Sequence, residues 1–214
     1  MRTRVKILLA DDHTLFCHLL KDLLEPEYDV VGSFSDGREL LRAAGYLHPD
    51  VVVVDISMPE LNGLDAGRRL KKENAKLTLI YLTMNNDVEL AREALEVGAS
   101  AFVLKNAPSS ELLRAIRDSL KGVSYVAPEI RKAMEETFIR DPKALNRPQH
   151  LTDRQREVLQ MLAEGRTLRE VADLLTISYR TARFHKFKIR EELGIWKDSE
   201  LVKYALKHGI ASPN

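Results

Sequence analysis

Over its first 120 or so residues this chain alternates two hydrophobic rhythms, and beyond them it keeps only one. Short apolar runs at 5–10, 29–34, 51–54, 77–83 and 101–104 alternate with segments whose apolar residues recur at helical spacing, such as Leu15, Phe16, Leu19, Leu20, Leu23 and Leu24. Further helical segments follow at 35–45, 64–73, 87–97 and 109–120, punctuated by Pro26, the His48-Pro49 step, Pro59 and Gly98. Five strand-helix units of this kind predict an α/β fold, a five-stranded doubly wound parallel sheet with helices on both faces, because each right-handed crossover lays a helix against one face. The centre of the pattern is Val51-Val52-Val53-Val54-Asp55. Four β-branched residues without polar alternation read as a strand buried on both faces, and they deliver one carboxylate to its carboxyl end.

The remaining chain has no strand signal. Gly122, Pro128, Pro142 and Pro148 punctuate a connector in which Glu129–Ile139 is long and amphipathic enough for one short helix. Four helices are then predicted. Thr152 caps the first, whose apolar stripe is Val158, Leu159, Met161 and Leu162; Thr167 and Glu170 form a capping box for the second. Thr176-Ile177 make a tight turn, Ser178 caps a third helix that Gly194 closes at Leu193, and the fourth runs over 198–208. Two helices joined by so short a turn read as a helix-turn-helix, giving an all-α four-helix domain after the sheet domain.

The chemistry gathers at the strand ends. Asp11, Asp12, Asp55, Thr83 and Lys105 stand at the carboxyl ends of four different strands, and in a parallel sheet those ends share one rim, where ligands bind in open α/β folds. A lone strand-end Asp often only caps the following turn. Three carboxylates on one edge repel unless a cation sits among them, and oxygen donors of this kind suit Mg²⁺. Such a cation would neutralise a phosphoryl group arriving at Asp55, with Asp55 as nucleophile, Lys105 as a point charge on a phosphoryl oxygen and Thr83 as a hydrogen-bonding hydroxyl.

Composition adds bounds. The 214 residues, 44% hydrophobic and 30% charged, are enough for one large or two ordinary globular domains. A single cysteine, Cys17, rules out an intrachain disulfide or a cysteine-based zinc site and points to helix packing in a reducing compartment. The N-terminal apolar run breaks at Asp11, and no stretch approaches the roughly 20 apolar residues of a membrane helix, so no membrane association is expected and the location expected is cytoplasmic. The net charge of +1 hides an asymmetry: acids outnumber bases over 1–121 and bases outnumber acids over 151–214. The third helix of the second half carries Arg180, Arg183, Lys186, Lys188 and Arg190 with no acid from Ser178 to Arg190, and Phe184 and Phe187 stand between them. That composition suits phosphates and base edges in a major groove.

These residues carry two family resemblances. The acidic pair Asp11-Asp12, the Asp-x-x-Met-Pro around Asp55, Gly63, Thr83 and Lys105 preceded by Phe102 closely resemble the flavodoxin-like receiver domain of two-component response regulators, over 5–121. Leu151-Thr152-x-Arg154-x-Arg156-Glu157-Val158-Leu159, Ala163-x-Gly165, Val171-Ala172, Leu175-x-Ile177-Ser178, Thr181 and His185 resemble the LuxR/NarL-type DNA-binding domain. The partition implied is a receiver over 1–121, a linker over 122–148 and a DNA-binding domain over 149–214.

The resemblance implies a bacterial response regulator and transcription factor, not an enzyme. A sensor histidine kinase would phosphorylate Asp55 and so control sequence-specific binding to double-stranded DNA by a homodimer. It further implies Mg²⁺ held by Asp11, Asp12, Asp55 and the Ser57 carbonyl, Thr83 and Phe102 as a moving switch pair, and a recognition helix over about 178–193. On that helix Arg183, Phe184, Phe187 and Lys188 would face DNA, with Arg180, Thr181 and Lys186 near it. The chain departs from the pattern at Asn106-Ala107-Pro108, at Thr176, where many relatives have Gly, and at Ala182 and Phe187, so base preference does not carry over. A Mg²⁺-dependent phosphatase with an aspartyl-phosphate intermediate is disfavoured because Asp55-Ile56-Ser57 lacks the second carboxylate of Asp-x-Asp. A phosphorylation-independent DNA-binding protein with the receiver as dimerisation module is disfavoured by the intact rim set.

Overall fold

A computed structural model describes residues 4–84, 86–140 and 151–211. The stretch 141–150, with Pro142 and Pro148 of the expected linker, lies outside the described residues. The element order is β1 (Lys6–Ala10), α1 (Thr14–Leu24), β2 (Asp29–Phe34), α2 (Gly37–Leu47), β3 (Val51–Asp55), α3 (Gly63–Glu73), β4 (Thr78–Thr83), α4 (Val88–Val97), β5 (Ala101–Leu104), α5 (Ser109–Leu120), β6 (Tyr125–Val126), α6 (Pro128–Arg140), α7 (Asp153–Ala163), α8 (Leu168–Leu174), α9 (Tyr179–Leu193) and α10 (Asp198–Lys207).

The sheet is parallel throughout, in the order β2-β1-β3-β4-β5-β6. Its order reverses direction between β1 and β3, which places a crevice at the ends of those two strands. The valines of β3 divide between the two faces as a doubly covered strand requires. Val51 and Val53 pack with Leu20 and Leu24 of α1 and Leu112 and Ile116 of α5, while Val52 and Val54 pack with Leu40 of α2, Leu64 and Leu70 of α3 and Leu90 of α4. Cys17 is buried in α1, its thiol against the Asp11 carbonyl, and burial pushes it above its ordinary range.

The sheet has six strands rather than the five expected. Tyr125–Val126 adds to the edge beside β5, and at two residues it is too short to show a period. The expected short helix is present as α6, and it packs against the first module: Ala127 and Ile130 are fully buried in the cluster containing Leu90, Ala94 and Phe102, with Met134 beside them.

Helices α7 to α10 enclose a second core of Val158, Leu159, Met161, Val171, Ala172, Ala182, Ile189, Leu201 and Ala205. Thr152 and Thr167 each make a full capping box, and Ser178 accepts from Thr181 N. Between α8 and α9, Thr176 takes a left-handed φ of 53°, the position after a helix end where glycine is favoured, so a β-branched residue there stores strain.

Candidate functional site

The rim at the ends of β1, β3 and β5 brings together four of the residues singled out from the sequence. Asp11 and Asp55 are almost wholly buried, and Lys105 Nζ lies 2.7 Å from Oδ2 of each. The Lys105 ammonium lies over the Phe16 ring of α1, 5.2 Å from the ring centre. Asp11 Oδ1 accepts the His13 amide at 3.0 Å. Its Oδ2 has the Lys105 ion pair but no well-directed hydrogen bond.

Donor atoms of Asp11, Asp12, His13 and Asp55 all lie within 4.8 Å of one another. His13 was not among the residues read as ligands; its signal was adjacency to the acidic pair just past a strand. A buried carboxylate oxygen lacking a hydrogen bond, amid hard oxygen donors, fits a divalent cation such as Mg²⁺.

Burial pushes the Asp55 carboxyl up to about 6, against the pull of Lys105 and a hydrogen bond from the Ser57 amide. Burial acts the other way on Lys105, but the Asp55 and Asp11 carboxylates outweigh it and hold its ammonium above the ordinary range. A carboxylate that resists ionisation, beside a lysine held as a cation, is a site poised to accept positive charge or to lose its own negative charge.

Glycine at position 63 is a steric requirement: a Cβ there would sit 2.0 Å from the Asp55 carbonyl oxygen. Thr83 ends β4, is buried, and its carbonyl accepts the Lys105 amide at 2.8 Å. Phe102 does not reach the rim; it is buried inside the sheet's α4 face, with its carbonyl accepting from Ala127 N.

The second site is the outer face of α9. Arg180, Arg183, Phe184, Phe187 and Arg190 line one groove there, with Phe184 and Phe187 about half exposed. Not every cation on the helix is open. Lys186 and Arg190 are both paired with Asp198 at the start of α10, and Lys188 with Glu191. Thr181 is tied to Ser178 through its hydroxyl at 2.8 Å. His185 is half-buried against Phe184, and burial, aided by Arg154, lowers its pKa, which suits a packed neutral ring.

Sequence reasoning missed a third polar assembly, between the two modules. Arg156 of α7 is buried, with Nε 2.9 Å from Asp65 and Nη2 2.9 Å from Glu93. Gln160, fully buried, contacts the segment between β3 and α3. Glu157, also buried, is met by Arg69, Arg154 and Arg38.

Comparison with known proteins bears on the first two assemblies. Residues 7–117 match the family model of the response regulator receiver domain, and residues 149–205 that of bacterial regulatory proteins of the luxR family. The response regulator UvrY of Escherichia coli K12 is 29% identical, over 97% of this chain and 96% of its own. The oxygen regulatory protein NreC of Staphylococcus carnosus is 32% identical, over 95% and 97%. Among solved structures, the RcsB response regulator of Salmonella typhimurium superposes with a TM-score of 0.66 at 26% identity, covering 96% of this chain and 98% of RcsB. A structure of two RcsB dimers bound to two parallel DNAs superposes at 0.61.

Proposed function

Because this chain belongs to the response regulators that join a receiver to a LuxR-type DNA-binding domain, we propose that phosphorylation of Asp55 by a sensor histidine kinase controls its binding to specific double-stranded DNA. The observation that carries the reading is the rim: one lysine held 2.7 Å from two buried carboxylates of different strands, with a third carboxylate beside them. Residues 1–121 act as the phosphoacceptor module, 122–148 as the connector, whose β6 and α6 pack against that module, and 149–214 as the DNA-binding module.

In the reaction, an Asp55 carboxylate oxygen forms a bond to phosphorus as the bond from phosphorus to the donor's leaving atom breaks. Asp11, Asp12, Asp55 and the Ser57 carbonyl hold Mg²⁺, which when bound supplies charge neutralisation for the phosphoryl oxygens. Lys105 is freed from Asp55 as that carboxylate becomes an acyl phosphate, and its ammonium then pairs with a phosphoryl oxygen. Thr83 hydrogen-bonds another oxygen, and Phe102, packed under α4, adjusts with it as the second member of the switch. The two states so defined are what the phosphoryl group biases.

On the other module, Arg180, Arg183, Phe184 and Phe187 meet the major groove, with Thr181, Lys186 and Lys188 toward phosphates. A homodimer would match the two-fold symmetry of paired half-sites. Among the described residues no helix is long and apolar enough to cross a membrane, and we place the protein in the cytoplasm with its DNA.

Two measurements test this. Acyl phosphate with Mg²⁺ labels the wild type in an acid-labile manner and leaves Asp55→Asn unlabelled; equal labelling of both sinks the phosphoacceptor assignment. DNA affinity falls steeply as salt rises, because phosphate contacts release counterions, and a flat salt response removes the α9 assignment.

A further inference from the structure

The segment between β3 and α3 carries the chemistry of the rim. It leaves the sheet at Asp55, passes Ser57 and Met58, turns at Glu60 with a left-handed φ of 62°, and enters α3 through Asn62 and Gly63. Within its own module it is held at its ends: Ile56 N donates to Leu82 O at 3.1 Å, Gly63 N to Ile56 O at 2.9 Å, and Gly37 N to Leu61 O at 3.2 Å. Between them Leu61 N donates to Pro59 O at 2.7 Å and Met58 and Leu61 are buried in the module's own core, and a further bridge across the middle comes from the other module. The Gln160 side-chain amide of α7 donates to the Met58 carbonyl at 2.9 Å and accepts from Asn62 N at 2.9 Å. It also donates to Glu164 at 2.8 Å, so its own donors and acceptor are used.

Only a group that is donor and acceptor at once closes a backbone segment in this way. Gln160 is fully buried, 98 residues from Asn62 and 102 from Met58, which marks a built contact rather than a passing one. Its grip on Met58 lies one peptide beyond Ser57. Meanwhile the α9 face is left open, since Phe184 and Phe187 remain half exposed in the same arrangement.

We propose that Gln160 is a positioning residue for the phosphoacceptor site: from the DNA-binding module it braces the segment carrying Asp55 and Ser57, and so raises the affinity of the rim for a divalent cation. The physical reason is preorganisation. A segment already fixed does not have to be ordered when the cation arrives. By linkage, whatever factor docking adds to cation affinity, cation binding adds to docking. Control then runs through the quality of the rim rather than through covering the DNA-facing helix. The inference rests on the reading of Asp55 and Ser57 as cation ligands.

The test measures binding of Mn²⁺, a probe with the same oxygen preference as Mg²⁺, by the loss of free-ion paramagnetic resonance signal on titration into the full-length chain. Gln160→Met keeps side-chain length and loses the hydrogen bonds to Met58, Asn62 and Glu164; Gln160→Glu keeps the acceptor but sets an oxygen against the Met58 carbonyl. Both are expected to weaken Mn²⁺ binding at least about five-fold, the lower end of ordinary coupling between sites. Lys72→Ala, which cuts an exposed ion pair to Asp153 in the same seam, is expected to change it less than about two-fold. Unchanged affinity in Gln160→Met and Gln160→Glu, with circular dichroism like wild type, overturns the proposal. Equal weakening by Lys72→Ala overturns it too, because docking in general would then be responsible. Asp55→Asn separates the two levels: if it binds Mn²⁺ like wild type, the cation-site reading itself fails, whereas weakening by Asp55→Asn alone defeats only the role of Gln160.

Discussion

At the strand rim three carboxylates, those of Asp11, Asp12 and Asp55, gather around one ammonium, that of Lys105. Along α7 the acids Asp65, Glu93, Asp153 and Glu157 are met by Arg156, Arg68, Arg69, Arg38, Arg154 and Lys72. Both assemblies are dense and both reach into buried volume. The seam compensates every buried carboxylate internally, whereas the rim leaves negative charge over. Uncompensated buried charge opposes folding, so it persists where a ligand completes it. Compensated charge calls for no ligand and serves to fix one geometry between two surfaces. The balance of the cluster, more than its size, distinguishes a site from a joint.

That contrast predicts opposite signs for removing a charge at the two places. The largest effect is expected for Arg156→Met, which leaves Asp65 and Glu93 buried with Arg68 as their one remaining cation among the described residues. It destabilises the docked chain by about 3 kcal/mol, read as a drop in the first urea midpoint and separation of the two modules into distinct transitions; an unchanged, single transition breaks the contrast.

Next comes Asp55→Asn in the presence of a chelator. The folded-state pKa of Asp55, about 6, lies above its ordinary value of 3.8. The native state therefore keeps that proton between about pH 4 and 6, and stability falls as pH rises through this window. Asp55→Asn is thus more stable than wild type at pH 7, by on the order of 3 kcal/mol, and the difference vanishes below about pH 4. A difference independent of pH would show that burial does not penalise this carboxylate.

On α9 the same reasoning separates cations that sit side by side. Among the described residues Arg183 has no acidic partner, while Lys186 is held by Asp198. Arg183→Ala should lower DNA affinity by about 1–2 kcal/mol in fluorescence anisotropy, and Lys186→Ala by clearly less. Equal losses would mean that Asp198 releases Lys186 at no cost. The smallest effect lies outside every charge cluster. Thr176→Gly relieves a left-handed β-branched residue and raises the stability of the second module by about 0.5–1 kcal/mol, seen as a rise of a few degrees in its melting temperature.

Much of this was legible from sequence because its signals are local or periodic. The valine run, the five strand-helix units and the capping residues Thr152, Thr167 and Ser178 announce themselves within a few positions. The rim was legible too, since parallel strands must bring their carboxyl ends together, so that Asp11, Asp55 and Lys105 could be joined without knowing the register. What escaped was what depends on distant partners. Helix α7 shows an apolar stripe at Val158, Leu159, Met161 and Leu162, which leaves Arg156 and Gln160 on a face that pattern assigns to water. The first module covers that face, and its contacts come from Asn62, Asp65 and Glu93, far along the chain. Strand β6 escaped for another reason, being too short for any alternation. The pairing of Lys186 and Arg190 with Asp198 was hidden because a count of charges within α9 stops before α10 begins.

The attachment of α6 to the first module sets the length of the leash between the two halves. With Ala127 and Ile130 buried beneath α4, the chain leaves that module at about residue 140 rather than 121, and the second begins at Leu151. At most about 3.6 Å per residue, that span keeps the two attachment points within roughly 40 Å of each other in any state. Confinement to such a radius gives each module a local concentration in the millimolar range as seen by the other. A seam too weak to hold two free proteins together can therefore stay occupied here.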